Sequence, residues 1–127
     1  MAIGQYILDS DGNPQLEPNP LKWALWFELS HLSPGKDNRI VAKDCVGEAH
    51  VSTVFLGLDY RYGRGTPILW ETMIFGGEHD QYCRRYATRA EAEEGHSEAV
   101  RMLVESDVDI AELERMLALS GGWEKKE

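Results

Sequence analysis

The sequence predicts an α+β fold, with an antiparallel β-meander of three to four strands packed against an N-terminal helix and two C-terminal helices. Two observations carry this prediction. Within residues 39–87, apolar and polar residues alternate, which is the period of β-strands. On either side of that region, apolar residues recur every three or four positions, which is the period of amphipathic helices. The chain of 127 residues has the size of one domain, so we predict a single domain over residues 1–127.

The N-terminal part is predicted to contain a turn-rich arm and one helix. Residues 1–19 hold a short strand at residues 6–8, followed by many turn formers and prolines. The acidic turn lacks the glycine and glutamate spacing of a calcium loop, so we predict no metal site. Residues 20–32 have helical periodicity, and the face expected to pack on the sheet carries Trp23, Trp26, Phe27 and Ser30.

The antiparallel sheet is predicted from four alternating segments within residues 39–87. Residues 39–46 suit an edge strand, whereas residues 50–60 are apolar on both faces and suit a central one. Glycines and a proline in residues 61–67 favour a hairpin before the next strand at 68–75. Residues 81–87 suit a further strand that has one more polar, solvent-facing side.

Two helices are predicted over residues 88–120. Thr88 and Glu91 form a capping box, and the helix is expected to run to about Ser106 with an apolar stripe of Ala92, His96, Ala99, Val100 and Leu103. A second helix is expected from Asp109, with a buried face of Ile110, Leu113, Met116 and Leu117. Residues 121–127 are expected to be a frayed tail, in which Trp123 could pin the chain to its own body or to a partner.

The composition narrows the choice of partners and location. Twenty-two acidic residues against 13 basic ones give a net charge of −9, which disfavours direct nucleic-acid binding and anionic membranes. An acidic surface can engage a basic protein, although it also simply confers solubility. Cys45 and Cys83 lack a C-x-x-C arrangement and a leader, so we expect free, buried thiols in the cytoplasm. No stretch reaches the roughly 18 apolar residues of a membrane span.

Two groups of polar residues are candidates for chemistry. Glu71 and His96, with Arg84 or Arg85 between them, could meet over the sheet for acid–base catalysis. The alternative is a cross-strand Glu–Arg pair and a structural histidine. The only concentration of positive charge comprises Arg61, Arg64, Arg84, Arg85 and Arg89, which would bind a phosphate-bearing small molecule if they converge, or else balance surface charge. We find no recognised catalytic motif and predict no cofactor.

Three segments carry a family resemblance. They are VSTVFLGLD at 51–59, WETMIFGG at 70–77 and RYATRAEAEEGH at 85–96, with weaker likeness at 6–13 and 23–28. In these motifs the chain resembles a family of small uncharacterised proteins found in bacteriophage and prophage genomes. The resemblance covers most residues up to about His96 and implies an origin in a phage that acts within a bacterial host.

The resemblance and the composition together give three hypotheses. The first is a non-catalytic phage accessory protein that binds a host protein and modulates a host process, with defence as one such process. The second is a sponge that sequesters a nucleotide signal in the arginine-lined region, for which a homo-oligomer would be favourable because pockets often form between protomers. The third is a small enzyme that uses Glu71 and His96.

Overall fold

The computed structural model describes residues 4–32, 39–60, 65–107 and 115–118. The elements in chain order are β1 (Tyr6–Leu8), β2 (Pro14–Leu16), α1 (Pro20–Leu32), β3 (Ile40–Val46), β4 (Ala49–Phe55), β5 (Trp70–Phe75), β6 (Cys83–Tyr86) and α2 (Arg89–Asp107). Strands β3 to β6 form one antiparallel sheet in the order β3-β4-β5-β6. The predicted α+β class and the meander are therefore confirmed, with β3 at an edge and β4 inside the sheet.

The N-terminal arm is a hairpin rather than a run of turns. Strand β1 was predicted, and it pairs antiparallel with β2. The carboxylate of Asp9 accepts hydrogen bonds from the backbone N–H groups of Asp11 and Asn13, both at 2.9 Å, and thereby closes the turn. Proline at the first position makes β2 hard to predict from the sequence. Proline has no N–H to donate to a neighbouring strand and is rare inside strands.

Helix α1 has the predicted bounds and the predicted inner face. The side-chain oxygen of Asn19 accepts a hydrogen bond from the N–H of Leu21 at 2.9 Å, which caps the helix start. On the inner face, the indole N–H of Trp23 donates to the carbonyl oxygens of Tyr6 and Gly57, at 3.0 and 3.1 Å. These bonds fasten the helix to the hairpin and to the segment after β4.

Gly57 is required for this close approach. Its φ angle is +80°, and a Cβ there would lie 3.1 Å from the ring of Phe27 and 3.2 Å from the indole nitrogen of Trp23. A Cβ here would require the Phe27 and Trp23 side chains to give way by a few tenths of an ångström, in a backbone conformation that residues other than glycine rarely adopt. The glycine thus sets how near the helix can pack.

Helix α2 begins at the predicted capping box. The backbone N–H of Glu91 donates to the Thr88 hydroxyl at 3.1 Å, and the Glu91 carboxylate accepts from the N–H of Thr88 at 3.2 Å. The predicted stripe is also confirmed, because Ala92, His96, Ala99 and Leu103 are buried against the sheet.

Both helices lie on one face of the sheet. Ring centroids of Trp26 and Phe55 are 6.0 Å apart, and those of Phe55 and Trp70 are 5.4 Å apart, so α1 reaches the core at one end of β4. At the other end, Ala49, Val51 and Ile74 pack with Ala99 and Leu103 of α2. The core is thus a single layer between the sheet and the two helices.

The predicted second C-terminal helix falls largely outside the described residues. Of that segment the structure describes only residues 115–118, which are helical. Met116 is 57% exposed and Leu117 is 39% exposed, so the prediction that these two side chains are buried is wrong. Periodicity identifies an apolar face but not whether a neighbour covers it. Ile110, Leu113 and the tail with Trp123 also lie outside the described residues.

Candidate functional site

The two faces of the sheet have different environments. On β4, Val51, Thr53 and Phe55 are buried beneath the helices, whereas His50 and Ser52 point the other way. Because side chains alternate along a strand, the even-numbered positions of β4 share the second face with their cross-strand neighbours. In the part of the chain that the structure describes, no helix packs on this second face, which we call the open face.

His96 is the centre of a buried polar network on the covered face. Its Nδ1 atom is 2.7 Å from the Thr53 hydroxyl, and its Nε2 atom is 2.7 Å from a carboxylate oxygen of Asp44. The Thr53 and Thr72 hydroxyls are 2.5 Å apart, and the Tyr86 hydroxyl donates to that of Thr72 at 3.0 Å. The network therefore joins five elements, β3 to β6 and α2, by hydrogen bonds.

This Asp–His–Thr arrangement has the residue order of a nucleophilic triad, but a triad also needs a nucleophile that a substrate can reach. Thr53 and Thr72 have no exposed surface, and His96 is 5% exposed. A substrate cannot reach the hydroxyl that would act as nucleophile. The network instead supplies hydrogen-bond partners for polar groups that would be costly to bury without them. This agrees with the alternative that His96 is a structural histidine.

The structure does not bring Glu71 to His96. Glu71 faces Arg85 across β5 and β6, and its carboxylate accepts a hydrogen bond from the Arg85 Nε–H at 2.9 Å. Its strand neighbour Thr72 is in the His96 network, so Glu71 itself points to the open face. The sheet separates the two candidate catalytic residues, and the alternative of a cross-strand Glu–Arg pair accounts for Glu71.

The described arginines do not converge either. Each has a glutamate partner: Arg84 with Glu98 at 2.8 Å, Arg85 with Glu71 at 2.9 Å and Arg89 with Glu93 at 3.1 Å. Arg84 and Arg85 are neighbours in β6 and therefore point to opposite faces. A shallow groove of about 310 Å³ includes both residues, but Glu91 and Glu94 also line it, so its charge is mixed. Arg61 and Arg64 lie outside the described residues.

The outward face of α1 carries a feature that the sequence reasoning missed. Leu21, Leu25 and Leu29 are 82%, 60% and 54% exposed, and their four-residue spacing lines them up along the helix. We call these three residues the leucine stripe. The opposite side of α1 carries the partly buried Trp23, Trp26 and Phe27, so the helix has apolar side chains on two sides. The four-residue spacing of the leucines was the available signal.

A helix with apolar side chains on two sides is normally covered on both of them. Single exposed leucines are common on protein surfaces, but an ordered row of them marks an interaction site. The leucine stripe is therefore the surface of the described chain that best fits a role in recognition. Its side chains can bind by burial of apolar surface and offer no group for catalysis.

Comparison with known proteins adds no assignment. No protein-family model, no curated protein and no solved structure matches the chain. The resemblance to phage proteins stays a prediction. Among the described residues, no helix has the length and apolar character to cross a membrane. Nor does that part of the chain gather three or more histidine, cysteine, aspartate or glutamate side chains as a metal would need.

Proposed function

We propose that this protein is a non-catalytic binding protein that docks a basic partner protein through the leucine stripe of α1. The observation that carries this proposal is the exposure of Leu21, Leu25 and Leu29 on a helix whose opposite side is partly buried against the rest of the chain. An exposed apolar helix face suits a helix-in-groove contact, in which side chains at four-residue spacing enter an apolar groove of the partner.

The charge of the chain argues for a basic partner over a second copy of the same chain. Two copies would each bring a net charge of −9 to the contact, and these charges repel. A basic protein would gain from the same charge, since long-range attraction accelerates encounter and the leucines then provide the short-range contact. The partner is thus a protein with an apolar groove and a basic surface around it.

The resemblance to phage proteins is the basis for proposing that this partner is a protein of a bacterial host. On that basis the protein would bind a host protein stoichiometrically and modulate a host process, such as defence against the phage. This biological assignment depends on the resemblance, whereas the docking surface depends on the geometry of α1. The two parts can be tested separately.

The docking surface is tested by Leu25→Glu, with Val104→Glu as the matched control. Both residues are in helices, they are 60% and 47% exposed, and each change adds one negative charge. Val104 lies on α2, near the end of the sheet far from α1. The two variants therefore differ mainly in whether they interrupt the leucine stripe.

Immobilised wild-type protein and the Val104→Glu variant should capture the same basic protein from bacterial lysate, and retain it in about 0.5 M NaCl, which screens surface charge. Leu25→Glu should lose it. Equal capture by both variants contradicts the docking surface, and a mixture of basic proteins that elutes with salt means that charge alone is at work. A wild-type dimer that Leu25→Glu converts to a monomer would instead assign the stripe to self-association.

A further inference from the structure

The open face of the sheet carries a cysteine and a histidine in direct contact. Cys45 on β3 lies opposite His50 on β4 in the strand register, and the Cys45 Sγ atom is 3.1 Å from the His50 Nδ1 atom. A tight turn containing Gly47, with φ +58°, joins the two strands and fixes this register. Both side chains are exposed, which corrects the expectation that the cysteines are buried.

This pair lies in a groove large enough for a small molecule. The groove has a volume of about 440 Å³, and Lys43, Asp44, Val51, Ser52 and Phe75 also line it. The Asp44 carboxylate itself contacts His96 on the covered face. Phe75 is 48% exposed and supplies an apolar wall. Lys43 is two residues from Cys45 on the same strand, so it shares the open face and adds a positive charge.

The second cysteine has the opposite surroundings. Cys83 is exposed too, but its thiol donates a hydrogen bond to the Glu71 carboxylate at 3.2 Å. Partial burial, and then Glu71, raise the pKa of the Cys83 thiol above its ordinary value. The thiol of Cys83 thus faces a carboxylate, whereas the thiol of Cys45 faces an imidazole nitrogen.

We propose that Cys45 is a thiol-modification site, at which His50 acts as the base and a small anionic disulfide is the reactant. Both side chains of the Cys45–His50 pair are exposed and neither belongs to the core, so the pair can meet a reactant from solvent. A thiol with an imidazole at hydrogen-bond distance, in a groove with a lysine, has instead the parts needed for thiol–disulfide exchange.

The exchange balances without any further reactant. His50 takes the thiol proton, and the Cys45 thiolate attacks one sulfur atom of the disulfide. The bond between the two sulfurs of the reactant breaks as the new bond to Cys45 forms, so Cys45 is oxidised and the released half is reduced. The protonated His50 then returns the proton to the departing thiolate. The product is a mixed disulfide on Cys45 with one free small thiol.

The test is the rate at which oxidised glutathione modifies each cysteine of the full chain at pH 7.5, followed by intact mass and peptide mapping. Cys45 should gain the glutathione adduct at least about tenfold faster than Cys83, since only the thiolate reacts. His50→Asn should remove most of that advantage and leave the Cys83 rate unchanged. Similar rates at the two cysteines, or an unaltered Cys45 rate in His50→Asn, would overturn the proposal.

The Cys83 rate in the same sample serves as a control for misfolding, because unfolding would remove the partial burial and the Glu71 contact that raise the pKa of the Cys83 thiol, and would thereby accelerate its reaction. The anionic character of the reactant is tested by Lys43→Gln. This variant should slow modification by oxidised glutathione but not by the neutral 2-hydroxyethyl disulfide. If both reagents slow equally, or neither slows, the anionic assignment fails.

Discussion

Gly95→Ala separates the effect of helix propensity from that of packing in this fold. Gly95 lies within α2, and alanine in a helix interior is favoured over glycine by about 1 kcal/mol. Propensity alone therefore predicts a more stable protein. The structure predicts the reverse, because a Cβ at position 95 would overlap the Tyr86 ring at its hydroxyl, Cζ and Cε1 atoms.

The magnitude follows from how firmly Tyr86 is held. Tyr86 is 5% exposed, belongs to the core cluster with Phe55 and Trp70, and donates to Thr72. Overpacking such a core costs about 1–3 kcal/mol. Displacing the ring also breaks the hydrogen bond to a buried hydroxyl, which costs about 1–3 kcal/mol. After subtraction of the propensity gain, Gly95→Ala should lower the free energy of unfolding by about 1–5 kcal/mol.

Urea unfolding of a double-mutant cycle measures this directly. In a Tyr86→Leu background the obstructing ring is absent, so adding Gly95→Ala should be neutral or stabilising, and the two changes should show a coupling of more than about 1 kcal/mol. The reasoning is refuted if Gly95→Ala stabilises the wild type by its propensity gain. It is refuted equally if the cost is unchanged without the Tyr86 ring.

Three further outcomes follow from the contacts. His96→Leu should lower the free energy of unfolding by about 1–3 kcal/mol in urea, because it takes a partner from the buried Thr53 hydroxyl; no change would mean that the network is dispensable. Thr88→Ala should cost about 1 kcal/mol by loss of the α2 cap, and a shift below about 0.3 kcal/mol would contradict that role. Glu71→Gln removes a carboxylate that raises the pKa of Cys83. That pKa should fall, and iodoacetamide should alkylate Cys83 faster at pH 8; an unchanged rate would contradict the influence of Glu71.

The sequence predicted the elements well because each has a local cause. Helix α1 begins and ends where its periodicity does, and Thr88 with Glu91 identified the start of α2. The alternation over residues 50–60 predicted a central strand, and β4 does lie inside the sheet. Strand β2 was missed because its only support is non-local pairing with β1, and proline at its first position obscures the pattern.

The candidate site was harder to predict because it depends on which faces meet. The sequence predicts Glu71 and His96 as a pair, but Glu71 points away from α2. The register of β5 against β4 determines which face Glu71 occupies. By contrast, the sequence alone shows that Arg84 and Arg85 cannot share a face, because neighbouring side chains of one strand point to opposite faces. Likewise, a tight turn between strands at 39–46 and 50–60 was enough to pair Cys45 with His50. The opposite faces of Arg84 and Arg85 and the pairing of Cys45 with His50 can therefore both be predicted from the sequence.

The two proposed surfaces lie on opposite sides of the sheet and can be examined independently. Asp44 contacts His96 of α2, so its strand neighbour Cys45 must point to the open face, whereas the leucine stripe lies on a helix of the covered face. A partner that buries the stripe leaves the Cys45 groove free. Partner capture should therefore be the same before and after Cys45 is modified. If modification instead abolishes capture, the partner must extend around the β3 edge, and the docking surface would have to include that strand.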